Sequence, residues 1–532
     1  MKMKKLMVTN VIPILITFVC LGLFFLPSEA LAVKKGGVLK VALGMTAQKL
    51  DPHSTAGSGE IYIMANMIER LVSYRWNDET NKAEPIPSLA DRWEISSDKL
   101  SVTFYLRKDV KFTDGTPFNA EAVKINIDRL MGPPPQSNAR RYKFLIKDTE
   151  VIDEYTVKVN LKIPAVPLES FFCQSYIGML SPAAIKEWGD KVGVHPVGTG
   201  PYKLKEWLQG EKIVLEANME HWKGRPNLDQ VEIYFVPESS SRMNLVKTGQ
   251  VDLAFNLDVP DLERVVEQGE LDAIEYPTTE LLYLTFNHLS SPGNDVSVRR
   301  AVKFGVDRKG IVEKVLRNHA TLSKSYVSKF CTGSYATDPL TFDPEKSRKI
   351  LTDGGWVDTD NDGIREKNGN KLTLKIRFPS GRYPLCDEIV AIIQNQLKKV
   401  GINCVSEKMG YGAWITALIK SGKENKGESY IVSWPSKEDA HWAFYPMQKN
   451  SPLSFYQNEK VQQLIQEQIQ EFDQEKRMAM AKEIQLIAES EAFGLNILFM
   501  NYNIVKKKNV HGVGTTRVPV SDSFNVYNAW IE

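Results

Sequence analysis

The spacing of hydrophobic residues along the first half of the chain switches repeatedly between strand-like and helix-like. Residues 38–43 alternate as a strand does, and the apolar positions after them recur at helical spacing: Ile61, Met64, Met67, Ile68, Leu71 and Val72. Residues 100–107 alternate apolar with polar side chains, which predicts a strand with one buried face. Asn119 is placed to cap a helix that begins at Ala120. We therefore expect an α/β lobe that carries a small α/β subdomain at residues 76–195.

The second half of the chain repeats this change of spacing. The pattern predicts strands at residues 281–287, 372–378, 402–406, 430–434 and 495–500, and helices at residues 386–400 and within residues 458–488. A chain of 532 residues, 42% of them hydrophobic, is long enough to bury more than one core. Alternation of helices and strands in both halves therefore predicts at least two α/β lobes.

The amino terminus is typical of a secretory signal peptide. Three lysines precede an uncharged stretch at residues 6–26, Pro27 then interrupts any helix, and residues 30–32 form an A-x-A cleavage pattern. Lipid attachment at Cys20 is disfavoured because no small residue stands directly before it. An uncleaved anchor helix is the alternative, because about 20 apolar residues can span a bilayer. We expect cleavage after Ala32 and a periplasmic mature protein.

Charge, cysteines and missing motifs exclude several classes of function. The net charge of +2 comes from 67 basic and 65 acidic residues, so no basic excess indicates nucleic acid or an anionic membrane as a partner. The cysteines after the signal peptide form no C-x-x-C pair, and their disulfide state stays open: Cys173, Cys331, Cys386 and Cys404. The chain has no G-x-S-x-G or H-E-x-x-H motif, which argues against a hydrolase.

Six sequence blocks, spread over nearly all of the predicted mature chain, carry a family resemblance. They are residues 87–94 (PSLADRWE), 104–123 (FYLRKDVKFTDGTPFNAEAV), 196–202 (PVGTGPY), 218–226 (NMEHWKGRP), 298–302 (VRRAV) and 342–356 (FDPEKSRKILTDGGW). In this order the blocks resemble family 5 extracellular solute-binding proteins, the peptide and nickel group. Most of these blocks are expected to be scaffold rather than ligand contacts.

The resemblance implies an α/β, two-lobed periplasmic binding protein fold of the class II type, with the extra subdomain in the first lobe. Lobe I would consist of residues 33–75, the subdomain 76–195, and residues 196–283 and 495–532; lobe II would be residues 284–494. A ligand bound between two lobes contacts both, so binding shifts the population toward a closed form. The expected partner is the permease of an ABC importer in the inner membrane, and we expect a monomer.

The resemblance also places a ligand-selecting loop directly after the strand at residues 430–434. The candidate ligand-binding residues in this loop are Trp434, Lys437, Glu438, Asp439 and His441. Arg140 and Arg141, with the adjoining Tyr142, are further candidates, because arginine binds carboxylates through two parallel hydrogen bonds.

The sequence leaves two ligand classes open. Peptide binders of the family usually carry an aspartate three residues after the tryptophan, where this chain has Lys437. Glu438 or Asp439 would replace that aspartate if the loop shifts by one residue. Nickel binders of the family show an acidic-Pro-His ending that Asp439 and His441 partly reproduce. A short peptide and a metal complex are therefore both candidate ligands; we expect no catalytic residue and no cofactor.

Residues 358–363 (DTDNDG) match the start of an EF-hand calcium loop. The twelfth position of that loop would be Gly369, where an EF-hand needs a bidentate glutamate. The sequence therefore favours a polar turn over a calcium site, and we expect no metal site. A sensor ectodomain that binds a solute without delivering it is the remaining alternative, and it requires residues 6–26 to stay as an anchor.

Overall fold

The computed structural model describes residues 33–55, 57–77, 79–80, 82–133, 136–339, 341–420, 428–514 and 524–532. Residues 34–532 form one compact unit. The predicted signal peptide, with Cys20, lies outside the described residues. Among the helices that are described, none combines the length and the apolar character needed to cross a membrane.

The described residues contain the following strands: β1 (Val38–Leu43), β2 (Val72–Asn77), β3 (Lys82–Pro87), β4 (Ala90–Ile95), β5 (Ser101–Leu106), β6 (Ile146–Asp153), β7 (Thr156–Leu161), β8 (Tyr202–Leu208), β9 (Lys212–Ala217), β10 (Gln230–Phe235), β11 (Leu253–Phe255), β12 (Asp272–Thr285), β13 (Ala320–Leu322), β14 (Glu366–Lys367), β15 (Asn370–Lys371), β16 (Thr373–Pro379), β17 (Asn403–Met409), β18 (Glu428–Pro435), β19 (Gly494–Lys506), β20 (Val510–His511) and β21 (Trp530–Ile531).

The helices are α1 (Ser58–Met64), α2 (Ala120–Met131), α3 (Leu168–Phe172), α4 (Pro182–Trp188), α5 (Ser239–Lys247), α6 (Val259–Gln268), α7 (Val296–Gly305), α8 (Arg308–Gly310), α9 (Pro344–Asp353), α10 (Cys386–Lys398), α11 (Tyr411–Lys420), α12 (Ala440–Ala443), α13 (Glu459–Gln468) and α14 (Gln474–Ser490). Short 3-10 turns at Ser137–Arg141, Ser175–Ile177, Gly189–Val194 and Tyr445–Met447 and a π-turn at Ile311–Val315 complete the regular structure.

One mixed sheet runs through both halves of the chain, in the order β17-β16-β18-β12-β19-β11-β1-β10-β9-β8, with β13 paired to β19. Strand β1 is parallel to β10 and β11, and β16 is parallel to β17 and β18. Helices separate these parallel strands along the chain, as crossover connections require. The two parallel groups are the sheets of the two predicted lobes.

The long strands β12 and β19 join these two groups. They pair antiparallel from Asp272–Lys506 at one end to Thr285–Gly494 at the other. At the first end β19 also pairs with β11, and at the second end β12 pairs with β18. Both faces of β19 are covered, because all but one of its residues are buried. The chain therefore crosses between the lobes on strands that belong to both, while the exact lobe boundaries stay a prediction.

The predicted subdomain contains a four-stranded antiparallel sheet in the order β4-β5-β7-β6. Helix α2 packs on this sheet through buried residues that include Val123 and Ile127. Asn119 caps α2 as predicted, since its Oδ1 accepts a hydrogen bond from the amide of Ala122 at 3.0 Å. Below, lobe I and lobe II denote the residue ranges predicted from the sequence, and the subdomain denotes residues 76–195.

Candidate ligand-binding site

A cavity of about 1100 Å³ lies between lobe I and lobe II. Lobe I contributes segments around residues 46–60 and 137–141 together with Tyr176, and lobe II contributes α11, the end of β18 and Tyr445. The volume is slightly above the range of about 300–1,000 Å³ that is usual for pockets of small ligands. A ligand held here would contact both lobes at once.

Arg141 lies at the centre of an aromatic cage in this cavity. Its guanidinium carbon is 4.4 Å from the ring centre of Tyr176, 4.8 Å from that of Tyr445 and 5.4 Å from that of Trp434. The residue is only 5% exposed, and within the described chain no carboxylate forms an ion pair with it. Its Nε donates a long hydrogen bond, 3.5 Å, to Asn138 Oδ1. A buried guanidinium without an acidic partner is suited to bind a carboxylate of a ligand.

Arg140 also lines the cavity, with its guanidinium carbon 5.8 Å from the ring centre of Tyr445. Burial lowers the pKa of Arg140, and the nearby Arg141 adds to this. Two neighbouring positive charges repel each other less when an anion lies between them. The pair therefore makes this end of the cavity favourable for an anionic group.

The cavity also contains carboxyl groups, and they differ in how they are neutralised. Glu280 on β12 accepts hydrogen bonds from Arg382 Nη2 at 2.9 Å and from the hydroxyls of Ser433 and Tyr502. Glu60 on α1 accepts a hydrogen bond from the amide of Gln48 at 3.1 Å and forms no ion pair with any described residue. Burial raises the pKa of Glu60. Glu60 is therefore the acid in the cavity that an ammonium group of a ligand would stabilise.

Trp434 lines the cavity at the end of β18, and its ring stacks on Tyr445 with 4.8 Å between ring centres. Its Nε1 donates a hydrogen bond to the carbonyl of Trp442 at 2.6 Å, which fixes the plane of the ring. Trp434, Arg140 and Arg141 are thus brought together from two lobes. That each of them binds ligand stays a prediction.

The next residues of the predicted loop form the contact between lobe II and the subdomain instead of lining the cavity. Lys437 Nζ donates to Gln174 Oε1, and Glu438 accepts a hydrogen bond from the hydroxyl of Ser170. Trp442 Nε1 donates to the same Ser170 Oγ at 2.6 Å. Burial lowers the pKa of Lys437 and raises that of Glu438. The two lobes are therefore in contact beside the cavity through buried polar groups.

The other three predicted site residues are also buried away from the cavity lining. Asp439 forms an ion pair with Arg477 Nη2 at 2.5 Å and caps α12. His441 Nδ1 is 2.9 Å from Gln468 Nε2, and its ring packs 5.5 Å from that of Phe171. The remaining residue, Tyr142, donates to the carbonyl of Phe171 at 3.1 Å. In this conformation these side chains stabilise the loop and the lobe contact, and Glu438 and Asp439 line a second, smaller cavity of about 320 Å³. Their role as ligand contacts stays a prediction.

Sequence reasoning missed several residues of the cavity wall: Glu60, Tyr176, Glu280, Arg382, Tyr383, Tyr411 and Tyr445. They come from separate elements, and no spacing pattern connects them. A single aromatic or charged residue at the end of an element carries no local signal of its neighbours. The four described cysteines form no disulfide; three of them are buried and Cys404 is partly exposed.

Comparison with known proteins agrees with this architecture. The model of bacterial extracellular solute-binding proteins, family 5 (middle region), matches residues 84–455, more than half of the chain. The glutathione-binding protein GsiB of Salmonella choleraesuis is 27% identical over 484 residues, which cover 89% of this chain and 91% of that protein.

Solved structures of other binding proteins have the same fold as this chain. The periplasmic binding protein DppA of Helicobacter pylori, in complex with the peptide STSA, has a TM-score of 0.83 and 23% identity over 94% of this chain and 99% of its own. NikZ of Campylobacter jejuni, in complex with Ni(L-His), has a TM-score of 0.80 and 22% identity over 93% of this chain and 99% of its own. The expected two-lobed periplasmic binding protein fold is thereby confirmed. The chain belongs to family 5 of the bacterial extracellular solute-binding proteins.

Proposed function

We propose that this protein captures a short peptide, or a similar small molecule with both an amino and a carboxylate group, and delivers it to the permease of an ABC importer. The observation that carries the proposal is the unpaired Arg141 in its aromatic cage between the two lobes. In the same cavity Glu60 lacks an ion-pair partner among the described residues. An acid and a base that each lack a partner match the two charges of a zwitterion.

The pairing that a zwitterionic ligand would offer to the charged groups of the cavity supports this ligand class. A ligand carboxylate would give the guanidinium of Arg141 the ion-pair partner that it lacks among the described residues, and a ligand ammonium would favour the ionised form of Glu60. The aromatic rings of Tyr176, Trp434 and Tyr445 would cover the apolar parts of the ligand. A Kd in the micromolar range requires a binding free energy of about 8 kcal/mol, which such a cavity can supply.

The side chains that line the cavity also distinguish between a peptide and a metal complex as the ligand. The part of the chain that the structure describes brings no histidine or cysteine side chain to the cavity surface. Imidazole and thiolate are the ligands that nickel and similar ions prefer in proteins. A metal complex would therefore be held through its own carboxylates, on Arg140 and Arg141, and the observed side chains favour the peptide-like ligand.

The proposed setting is the periplasm, with the mature chain released by cleavage after Ala32. The lobe contact through Ser170 and Trp442 is of the kind that a permease can use to distinguish a closed from an open protein. We propose that the protein acts as a monomer and has no enzymatic activity. Peptides recovered intact after incubation with the purified protein would agree with this, whereas cleaved peptides would contradict it.

The experiment is native mass spectrometry of the protein purified from its own host, followed by calorimetric titration with the molecule recovered. Di- and tripeptides, glutathione and Ni(L-His)₂ serve as defined probes in parallel. Arg141→Leu should weaken binding of a carboxylate-bearing peptide at least 30-fold, and should have little effect on a peptide whose carboxyl end is amidated. Equal loss for both peptides, or unchanged affinity for both in a folded variant, would contradict the role given to Arg141.

A further inference from the structure

A loop of lobe II, residues 358–366, gathers four carboxylates at one point. One oxygen from each of Asp358, Asp360, Asp362 and Glu366 can be chosen so that all four lie within 4.8 Å of one another. Calcium binds oxygen ligands at about 2.3–2.6 Å, so two oxygens on opposite sides of one ion are about 5 Å apart. The four oxygens therefore span the size of a single calcium coordination shell.

Two of the four carboxyl groups each have one oxygen atom that is buried and has no hydrogen-bond partner. Oδ1 of Asp358 and Oε1 of Glu366 are shielded from solvent and have no hydrogen-bond partner. The other oxygen of each carboxylate accepts a hydrogen bond from the loop backbone: Asp358 Oδ2 from the amide of Gly363 at 3.0 Å, and Glu366 Oε2 from the amide of Thr359 at 2.9 Å. A buried carboxylate oxygen without a donor is costly unless a cation or a proton completes it. Both unpartnered atoms belong to residues of the four-carboxylate cluster.

The positive charges near the cluster do not balance it. Lys371 Nζ reaches Asp362 and lies 3.0 Å from Asp360 Oδ2, which raises the pKa of Lys371 and lowers that of Asp360. The neighbouring Arg365 directs its guanidinium at the carbonyls of Trp356 and Val400. The ammonium of Lys371 is thus shared by Asp360 and Asp362 at the exposed side of the cluster. The oxygens of Asp358 and Glu366 have no cationic side chain among their hydrogen-bond partners.

From this geometry we propose that residues 358–366 bind a calcium ion. Asp358, Asp360 and Asp362 stand at the first, third and fifth positions of the loop, Ile364 offers its carbonyl at the seventh, and Glu366 supplies a carboxylate at the ninth. Hard oxygen ligands exclude zinc as the preferred ion, and the wide spacing suits calcium better than magnesium, which needs a shell of about 2.0–2.1 Å.

This site differs from an EF-hand in how the loop is closed. Gly369 at the twelfth position adopts φ +73° in the turn between β14 and β15, so the chain reverses as a hairpin and not as a helix. Glu366 is brought to the cluster because it begins β14 and pairs with Val357 across a bridge. The ion would hold the end of the segment after α9 against this hairpin and so stabilise lobe II. None of the four acidic residues lines the ligand cavity.

The test uses the full-length mature protein, treated with EDTA and then dialysed into metal-free buffer. Calorimetric titration with CaCl₂ should show one site with a Kd at or below about 1 mM, the range of extracellular calcium modules, and the melting temperature should rise with calcium concentration. Magnesium at the same concentration should bind at least tenfold more weakly.

Glu366→Gln and Asp360→Asn should each weaken calcium binding at least tenfold. Asp353→Asn is the matched control, because Asp353 is an exposed acid in a surface pair with Lys349 and should leave calcium binding unchanged. Lys371→Met should strengthen calcium binding several-fold, because it removes an ammonium that competes for two of the carboxylates.

Two outcomes would overturn the proposal: no heat and no change in melting temperature with calcium in the folded wild-type protein, or calcium binding that is unchanged in Glu366→Gln and Asp360→Asn. If either variant fails to fold, its titration is replaced by a terbium experiment. Terbium bound to the wild-type protein and to Lys371→Met is followed by its luminescence while calcium is added as the competitor. Displacement of terbium at a lower calcium concentration from the wild type than from Lys371→Met would likewise contradict the assignment.

Discussion

The buried ion pair between Asp439 and Arg477 offers a direct test of how the loop after β18 works. Asp439→Asn removes the negative charge but keeps an oxygen that can accept from the amide of His441, as Asp439 Oδ1 does at 2.9 Å. Arg477 would keep its hydrogen bond to the carbonyl of Gln468, 3.1 Å away, and lose its charged partner. The change therefore isolates the ion pair from the helix cap.

The magnitude follows from burial. The side chains of Arg477 and Asp439 are 5% and 4% exposed, so solvent cannot replace the lost partner. Removing one member of a buried pair typically costs about 3–5 kcal/mol, and the remaining hydrogen bond to Gln468 puts this case at the lower end, about 3 kcal/mol. Asp353→Asn, in a pair exposed by 74% and 61%, should cost no more than about 0.5 kcal/mol.

Urea unfolding, followed by tryptophan fluorescence, measures both variants against the wild type. The double variant Asp439→Asn/Arg477→Met should recover part of the loss, because it no longer buries an unpaired charge. Ligand affinity per folded molecule should stay near the wild-type value, since Asp439 does not line the cavity. A variant of normal stability that binds its ligand much more weakly would refute this reasoning and return Asp439 to the binding site.

Two further predictions concern the same loop. Trp434→Ala should weaken ligand binding by about 1–3 kcal/mol in calorimetry, because the ligand would cover part of this ring; unchanged affinity in a folded variant would remove Trp434 from the site. Burial lowers the pKa of His441 to about 4, so its neutral form stabilises the folded state fully above pH 6.5, and this contribution, about 3 kcal/mol, is lost as the pH falls from 6.5 toward 4. His441→Asn should therefore flatten the fall in unfolding free energy over this window, and an unchanged slope would contradict the assignment.

The regular elements of the second half were predictable because their periodicity is strong. The predicted strand at residues 372–378 corresponds to β16, the predicted helix at 386–400 to α10, and the predicted strand at 402–406 overlaps the first half of β17. Strand β12 begins nine residues before the predicted start, because its first part pairs with the far end of β19, and local spacing does not show that partner. The short hairpin of β2 and β3 escaped prediction because its strands show no clear alternation of apolar and polar residues.

For the loop from Trp434 to His441, the sequence alone does not predict which side chains face the cavity. The sequence singles out the residue types of this loop. Whether each side chain faces the cavity depends on Ser170, Gln174 and Arg477, which lie on other elements. The acidic loop shows the reverse case. Its first three aspartates were visible in the sequence, whereas the role of Glu366 follows from the hairpin that brings it beside Asp358.

By itself the sequence determined the α/β class, the family resemblance, the order of the elements and the presence of candidate chemistry near Arg141 and Trp434, because periodicity, caps and local motifs act over a few residues. Only the tertiary structure decided which charges are paired. Glu280 meets Arg382, Asp439 meets Arg477, and Arg141 has aromatic neighbours but no acid among the described residues. Such pairings join residues far apart in the chain, so their energies depend on distances and burial that only the packed lobes define.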